Sequence, residues 1–115
     1  MSAVIWPERN RFNTPPEGFL TEVAGRVRGR VRRAYVFGSY GTAAFRPGSD
    51  VDLILVAETD RPFVERPRLF DDLYDLYPRL DLLVYTPGEF DRLIKEPTGF
   101  WASVRESLRA IPLTG

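Results

Sequence analysis

Histidine and cysteine are both absent from this 115-residue chain. Without them, structural zinc, haem ligation and nucleophilic catalysis by a Cys or a His-activated group are excluded. No disulfide framework can form, which fits a reducing compartment, and a cytoplasmic protein is expected. Any metal must be held by oxygen. No apolar run approaches the roughly 18 residues that a membrane span needs, so no membrane partner is expected. The N-terminus, MSAVIWPERNRF, lacks a basic n-region and a cleavage pattern, and no signal peptide is expected. Lysine is nearly missing too: Lys95 stands alone against fifteen arginines. Arginine binds carboxylate and phosphate bidentately, although a GC-rich or thermophilic genome gives the same bias. The net charge is zero, so no overall field argues for nucleic acid, which stays open as a partner.

What is present reads as one domain over residues 14–115, preceded by an extended arm over 1–13. Thr14-Pro15-Pro16-Glu17 has the form of a capping box with proline in the first turn. Leu20, Val23, Ala24, Val27 and Val31 then recur at helical spacing, with Arg26, Arg28, Arg30, Arg32 and Arg33 off that face. The arginines read as a solvated face, or alternatively as an RNA groove. Residues 34–37 and 51–57 read as strands, the second buried on both faces. Gly38-Ser39 ends the first strand, and 40–44 reads as a short helix. A helix over 62–77 turns Leu69, Phe70, Leu73 and Leu76 inward and exposes Asp71, Asp72 and Asp75. Residues 80–85, LDLLVY, form a third strand. Thr86-Pro87-Gly88-Glu89 repeats the capping box. Thr98 starts a last helix with Phe100, Val104, Leu108 and Ile111 as its buried stripe. Trp6 and Trp101 read as packing residues, or as interface anchors if exposed. The succession predicts an α/β (α+β) fold, a small mixed sheet flanked by helices.

The chemistry sits in VFGSYGTAAFRPGSDVDLILV, residues 36–56. Asp50 and Asp52 are two apart on a strand and share a face. Asp81, second in the third strand, reaches the same depth if the two strands are neighbours. Converging carboxylates with no lysine or histidine between them oppose one another's ionisation. A divalent cation removes that cost, and Mg²⁺ suits a few carboxylates completed by water and phosphate oxygens. Two such ions can clamp the attacking and leaving oxygens of an in-line displacement. Gly38 allows close approach of the backbone to a ligand, and Ser39 adds a hydroxyl. A helix beginning there would offer its N–H groups to phosphate. Taken singly, Asp50 is as well explained as a turn residue, and Asp81 as an acid at a strand start.

Gly38-Ser39, ten intervening residues, Asp50-Val51-Asp52 and then an aspartate leading a later strand resemble the nucleotidyltransferase superfamily of DNA polymerase beta. The compact form is similar to the minimal nucleotidyltransferases that pair with HEPN-domain proteins as antitoxins in toxin–antitoxin systems. The resemblance runs over residues 14–111. It implies a polymerase beta-like fold. It further implies Asp50, Asp52 and Asp81 as catalytic, metal-binding carboxylates, and Gly38, Ser39 and Ser49 as nucleotide-binding residues. ATP would be the substrate, with Mg²⁺, in two ions, as cofactor. The activity implied is transfer of AMP to a hydroxyl, and a HEPN-domain protein is the implied partner. Neutralising a HEPN ribonuclease by binding alone is the alternative, and a homo-oligomer is a second mode of assembly. A small-molecule resistance enzyme of the aminoglycoside type would carry an extra helical domain that these residues do not contain. Tyr40 stands where the minimal family often has a basic residue, and Arg46 is the candidate substitute.

Overall fold

The computed structural model describes residues 14–113; the arm over 1–13, Trp6 within it, and residues 114–115 lie outside the described residues. Helix α1 (Phe19–Val27) leads into strand β1 (Arg33–Phe37), which pairs antiparallel with β2 (Val51–Val56). A 3₁₀ segment (Phe63–Asp75) then crosses back to β3 (Leu80–Tyr85), parallel to β2. Helices α2 (Pro87–Leu93) and α3 (Gly99–Ser107) follow, and a two-residue strand, β4 (Arg109–Ala110), closes the sheet in the order β3-β2-β1-β4.

Strand β2 is central, and its composition explains why. Leu53 through Val56 are all fully buried, which only a strand covered on both faces can achieve. The pleat sends Val51, Leu53 and Leu55 to one core with Val36, Leu82 and Val84, covered by α1 and the 3₁₀ segment. Ile54 and Val56 face the other core with Phe37, Phe90, Trp101 and Val104, covered by α2 and α3. Asp52 belongs by parity to this second face.

Several local readings change. The predicted cap at Thr14 fails: α1 starts at Phe19 after Gly18, whose φ is 73°. Pro16 disfavours a helical conformation at Pro15, so the turn cannot propagate from Thr14. Helix α1 stops at Val27, short of the predicted Val31, and Gly29 adopts φ 85° just beyond. The predicted helix over 62–77 is a 3₁₀ stretch interrupted at Phe70 (φ −126°, ψ 31°). That break leaves Leu69 exposed while Phe70 and Leu73 stay buried, and it brings Arg66 inside instead. The last helix ends at Ser107, so Ile111 joins the first core rather than the helix stripe. Trp101 packs inward as a core residue, and Phe100 is 52% exposed.

The capping box at Thr86 is present in both halves: Glu89 N–H donates to Thr86 Oγ1, and Thr86 N–H to the Glu89 carboxylate. Much of the arginine face is spent on intramolecular pairing. Arg30 reaches both carboxylate oxygens of Asp72 at 3.0 Å, and Arg26 donates to the Asp72 carbonyl. Arg32 pairs with Glu58 and Arg33 with Asp91. Among the described residues, no helix is long and apolar enough to cross a membrane.

Candidate active site

The strand register decides how the acidic residues meet. Asp52 is the Cα partner of Asp81 across the parallel β2–β3 pair and of Phe37 across β1–β2. Neighbouring strands lie about 4.8 Å apart, so the Asp52 and Asp81 side chains stand side by side on the second face. Asp50 immediately precedes β2 and is exposed, as is Asp81; Asp52 is partly buried. Burial, and then the charges of Asp81 and Asp50, push the Asp52 carboxyl up to about 6. Asp50 and Asp81 thus both bear on the Asp52 carboxyl through their charge.

Gly38 is tied to the Asp52 carboxylate by space. Its φ is 80°, and a Cβ placed on it would lie 2.5 Å from Asp52 Oδ2. Only a residue without a side chain lets the turn and the carboxylate approach this closely. We expect Gly38→Ala to cost about 1–2 kcal/mol from its left-handed backbone alone, and to displace Asp52 as well. Thermal melts and nucleotide binding check this; an alanine variant equal to wild type in both would contradict it.

The turn after Gly38 is not the expected helix. Residues 38–45 form successive turns, with Gly41 at φ 83° breaking any helical run. Thr42 closes one turn through its N–H and hydroxyl, both donated to the Ser39 carbonyl. Among the described residues the backbone N–H groups of Ser39, Tyr40 and Gly41 have no hydrogen-bond acceptor. Successive free N–H groups in a turn make a concavity for an anion, so the donors expected from a helix end come from a turn instead. Tyr40 packs its ring edge-on against Phe19 and Phe45, at 5.8 and 5.2 Å between centroids, anchoring the turn to the first core.

The other loop residues have local duties. The Ser49 hydroxyl accepts from Arg46 N–H at 3.1 Å, and Ser49 N–H donates to the Arg46 carbonyl. That leaves the hydroxyl proton of Ser49 to offer a ligand. Arg46, the candidate substitute for a basic residue after Gly-Ser, donates to the Ala43 carbonyl of its own loop. The buried Tyr77 donates its hydroxyl to the Ser49 carbonyl at 2.8 Å, fixing the chain just before Asp50.

Sequence reasoning missed two residues here. Ser107, at the end of α3, accepts the Gly38 N–H at 2.8 Å. Arg109, on β4, donates to the Gly38 and Tyr40 carbonyls. One arginine among fifteen, some seventy positions from its partners, carries no local signal.

The donor set fits a hard divalent cation. It holds carboxylate oxygen and no nitrogen or sulfur ligand, and a cation would offset the charge crowding that raises Asp52. Among the described residues, no three acidic side chains are already gathered as a metal cage. Such a site, needing phosphate and water oxygens to complete it, is of the kind Mg²⁺ takes with a nucleotide.

No curated protein matches the chain. A solved structure, that of a provisionally assigned nucleotidyltransferase from Sulfolobus solfataricus, is 21% identical and aligns over 64% of this chain and 66% of its own, with a TM-score of 0.46. The present chain thus spans just under two thirds of that protein. The family described as "Polymerase beta, Nucleotidyltransferase" matches residues 23–97, a stretch that holds Gly38, Ser39 and all three aspartates. That match covers well over half of the sequence, and the chain belongs to the polymerase beta nucleotidyltransferase family.

Proposed function

We propose that this domain is a Mg²⁺-dependent adenylyltransferase, which moves AMP from ATP to a hydroxyl on a HEPN-domain partner and so serves as the antitoxin of a toxin–antitoxin pair. The observation that carries the reading is the register of Asp52 beside Asp81, with Gly38 held against the Asp52 carboxylate. Asp50, Asp52 and Asp81 would hold a pair of Mg²⁺ ions. Bound there, Mg²⁺ supplies charge neutralisation for the phosphates and acidifies the acceptor hydroxyl.

The chain's own residues bind and orient. The free N–H groups of Ser39, Tyr40 and Gly41 and the Ser39 hydroxyl take phosphate oxygens. The acceptor oxygen forms its bond to the α-phosphorus as the bond from that phosphorus to the bridging oxygen breaks and pyrophosphate leaves. Asp81 would receive the acceptor proton; its exposure and its register beside Asp52 support that role. With Asp50 and Asp81 both open to solvent, a macromolecular hydroxyl can reach the site, which favours a protein acceptor over a small molecule needing an enclosing pocket.

The test is incubation with α-labelled ATP, Mg²⁺ and a HEPN-domain ribonuclease, followed by assay of label and of residual ribonuclease activity. Label should appear on the partner, and ribonuclease activity should fall only with ATP and Mg²⁺ present. Asp50→Asn and Asp52→Asn should abolish both. Full neutralisation without nucleotide, retained by both variants, would contradict the enzymatic reading and leave binding alone.

A further inference from the structure

The turn that offers its N–H groups at the site is held from behind by a part of the chain outside the matched family region. That region ends at residue 97, whereas Ser107 and Arg109 lie on α3 and β4. The Arg109 guanidinium donates three hydrogen bonds to backbone carbonyls: Nε to Ser107 at 2.9 Å, Nη1 to Tyr40 at 2.6 Å and Nη2 to Gly38 at 3.1 Å. The packing is close, since a Cβ on Gly41 would lie 2.9 Å from Arg109 Nη1. Ser107 Oγ meanwhile accepts the Gly38 N–H at 2.8 Å.

These bonds set the direction of the peptide groups. No peptide bond is cis among the described residues, and across a trans peptide the N–H points opposite to the C=O. Carbonyls of Gly38 and Tyr40 turned toward Arg109 therefore leave the Ser39 and Gly41 N–H groups facing away from it. Gly38 itself borders the Asp52 carboxylate, so the turn whose N–H groups are left open in this way lies against the predicted site.

We propose that Arg109 is a positioning residue for nucleotide binding, whose guanidinium holds the Gly38–Gly41 turn in its phosphate-accepting form while touching no substrate. The role rests on the nucleotide reading of the site. It is specific to arginine, because three carbonyls in different directions match a planar fork of donors and not a single ammonium.

The experiment measures Mg²⁺-dependent affinity for a non-hydrolysable ATP analogue by calorimetry, and backbone amide signals of residues 38–41 by NMR without ligand. Wild type, Arg109→Lys, Arg109→Met and Ser107→Ala are compared, with Arg105→Met as control. Arg105 donates to the Ile94 and Glu96 carbonyls, away from the turn, and should match wild type in both readouts. We expect affinity to fall roughly 10- to 100-fold in Arg109→Met and about 3- to 10-fold in Arg109→Lys and Ser107→Ala. The amide signals of residues 38–41 should shift or broaden in the same three. Combining Arg109→Lys with Ser39→Ala should cost less than the product of the separate losses, since both act on one turn. If Arg109→Met fails to fold, the lysine and Ser107 variants decide. Unchanged amide signals in the lysine variant overturn the proposal. So does a loosened turn with unchanged affinity, which would make Arg109 structural only. Failure of the wild type itself to bind the analogue would be the failure of the nucleotide reading, a different result.

Discussion

Asp52→Asn should lower nucleotidyl transfer by about 10²–10³-fold or more and make the ligand-free protein more stable. Both effects come from one carboxylate. Burial and the charges of Asp81 and Asp50 hold the Asp52 carboxyl at about 6, against an ordinary value of 3.8. A raised acid contributes its stability below the unfolded pKa and loses it as pH climbs through the folded one. Ionised Asp52 therefore burdens the folded state increasingly from about pH 4 to pH 6, and fully at neutrality. Asparagine removes the charge at nearly constant shape. With allowance for solvent screening at a partly exposed site, the gain is on the order of 1–2 kcal/mol at pH 7. The gain should shrink toward pH 4, where wild-type Asp52 is protonated. Melting curves at pH 4 and 7 check the stability half, and pyrophosphate release the chemical half. A variant that melts lower than wild type at pH 7 would make Asp52 a structural residue; one that transfers normally would remove it from the chemistry.

Glu89→Gln should be strongly destabilising although it lies away from the site. Arg66 is buried, with its side chain 8% exposed, and makes a bidentate pair with Glu89 at 2.6 and 3.2 Å. It also donates to the Arg61 and Val84 carbonyls, so one guanidinium ties the 3₁₀ segment, strand β3 and the start of α2 together. Glutamine preserves the shape and can still serve the capping box, so the substitution isolates the charge. What remains is a buried cation without its carboxylate, at a cost of on the order of 3 kcal/mol. In a domain of this size that is a fall in Tm of about 12–18 °C. Arg66→Met should cost less, about 1–2 kcal/mol, because the orphaned carboxylate is 32% exposed and can take water. The Arg66 hydrogen bonds, with help from Thr86 N–H, bring the Glu89 carboxyl down from 4.5 to about 2. A lowered acid contributes stability above its unfolded pKa, so this contribution is present above about pH 5 and lost as pH falls toward 2. Acid titration followed by circular dichroism should show that loss in wild type and not in Glu89→Gln. Equal melting of Glu89→Gln and wild type would contradict the clamp.

The strands were legible because burial writes itself into composition. Val51–Val56 is an apolar run with one interruption, Asp52, and that interruption marks the site. Thr86–Glu89 could be read because a capping box is local, with all its partners within four residues. The errors at β4 and over residues 40–44 have the opposite cause. Strand β4 is two residues long and follows a helix without a break in periodicity, so nothing local distinguishes it from a further helical turn. Residues 40–44 carry helix-compatible types, yet Gly41 takes a positive φ, and the Arg109 guanidinium packs where its Cβ would stand, an approach made across 68 positions of chain. That Asp81 stands beside Asp52 could not be known until strand order was known. Sequence alone gave its depth in the strand but not its neighbour. The aspartates could be named from spacing, while the groups that aim the phosphate-facing turn could not.

The central claim is that Asp50, Asp52 and Asp81 hold divalent metal against a nucleotide whose phosphates lie on the Gly38–Gly41 turn. Diffraction from crystals grown with Mn²⁺ and a non-hydrolysable ATP analogue tests it most directly, because the metal is located by its anomalous signal. The predicted result is anomalous density at about 2.1–2.2 Å from oxygens of Asp52 and at least one of Asp50 and Asp81, with a phosphate oxygen of the same nucleotide on the Ser39 hydroxyl. Ordered nucleotide with its metal elsewhere on the protein, or metal on the aspartates with the phosphates away from Ser39, would contradict it.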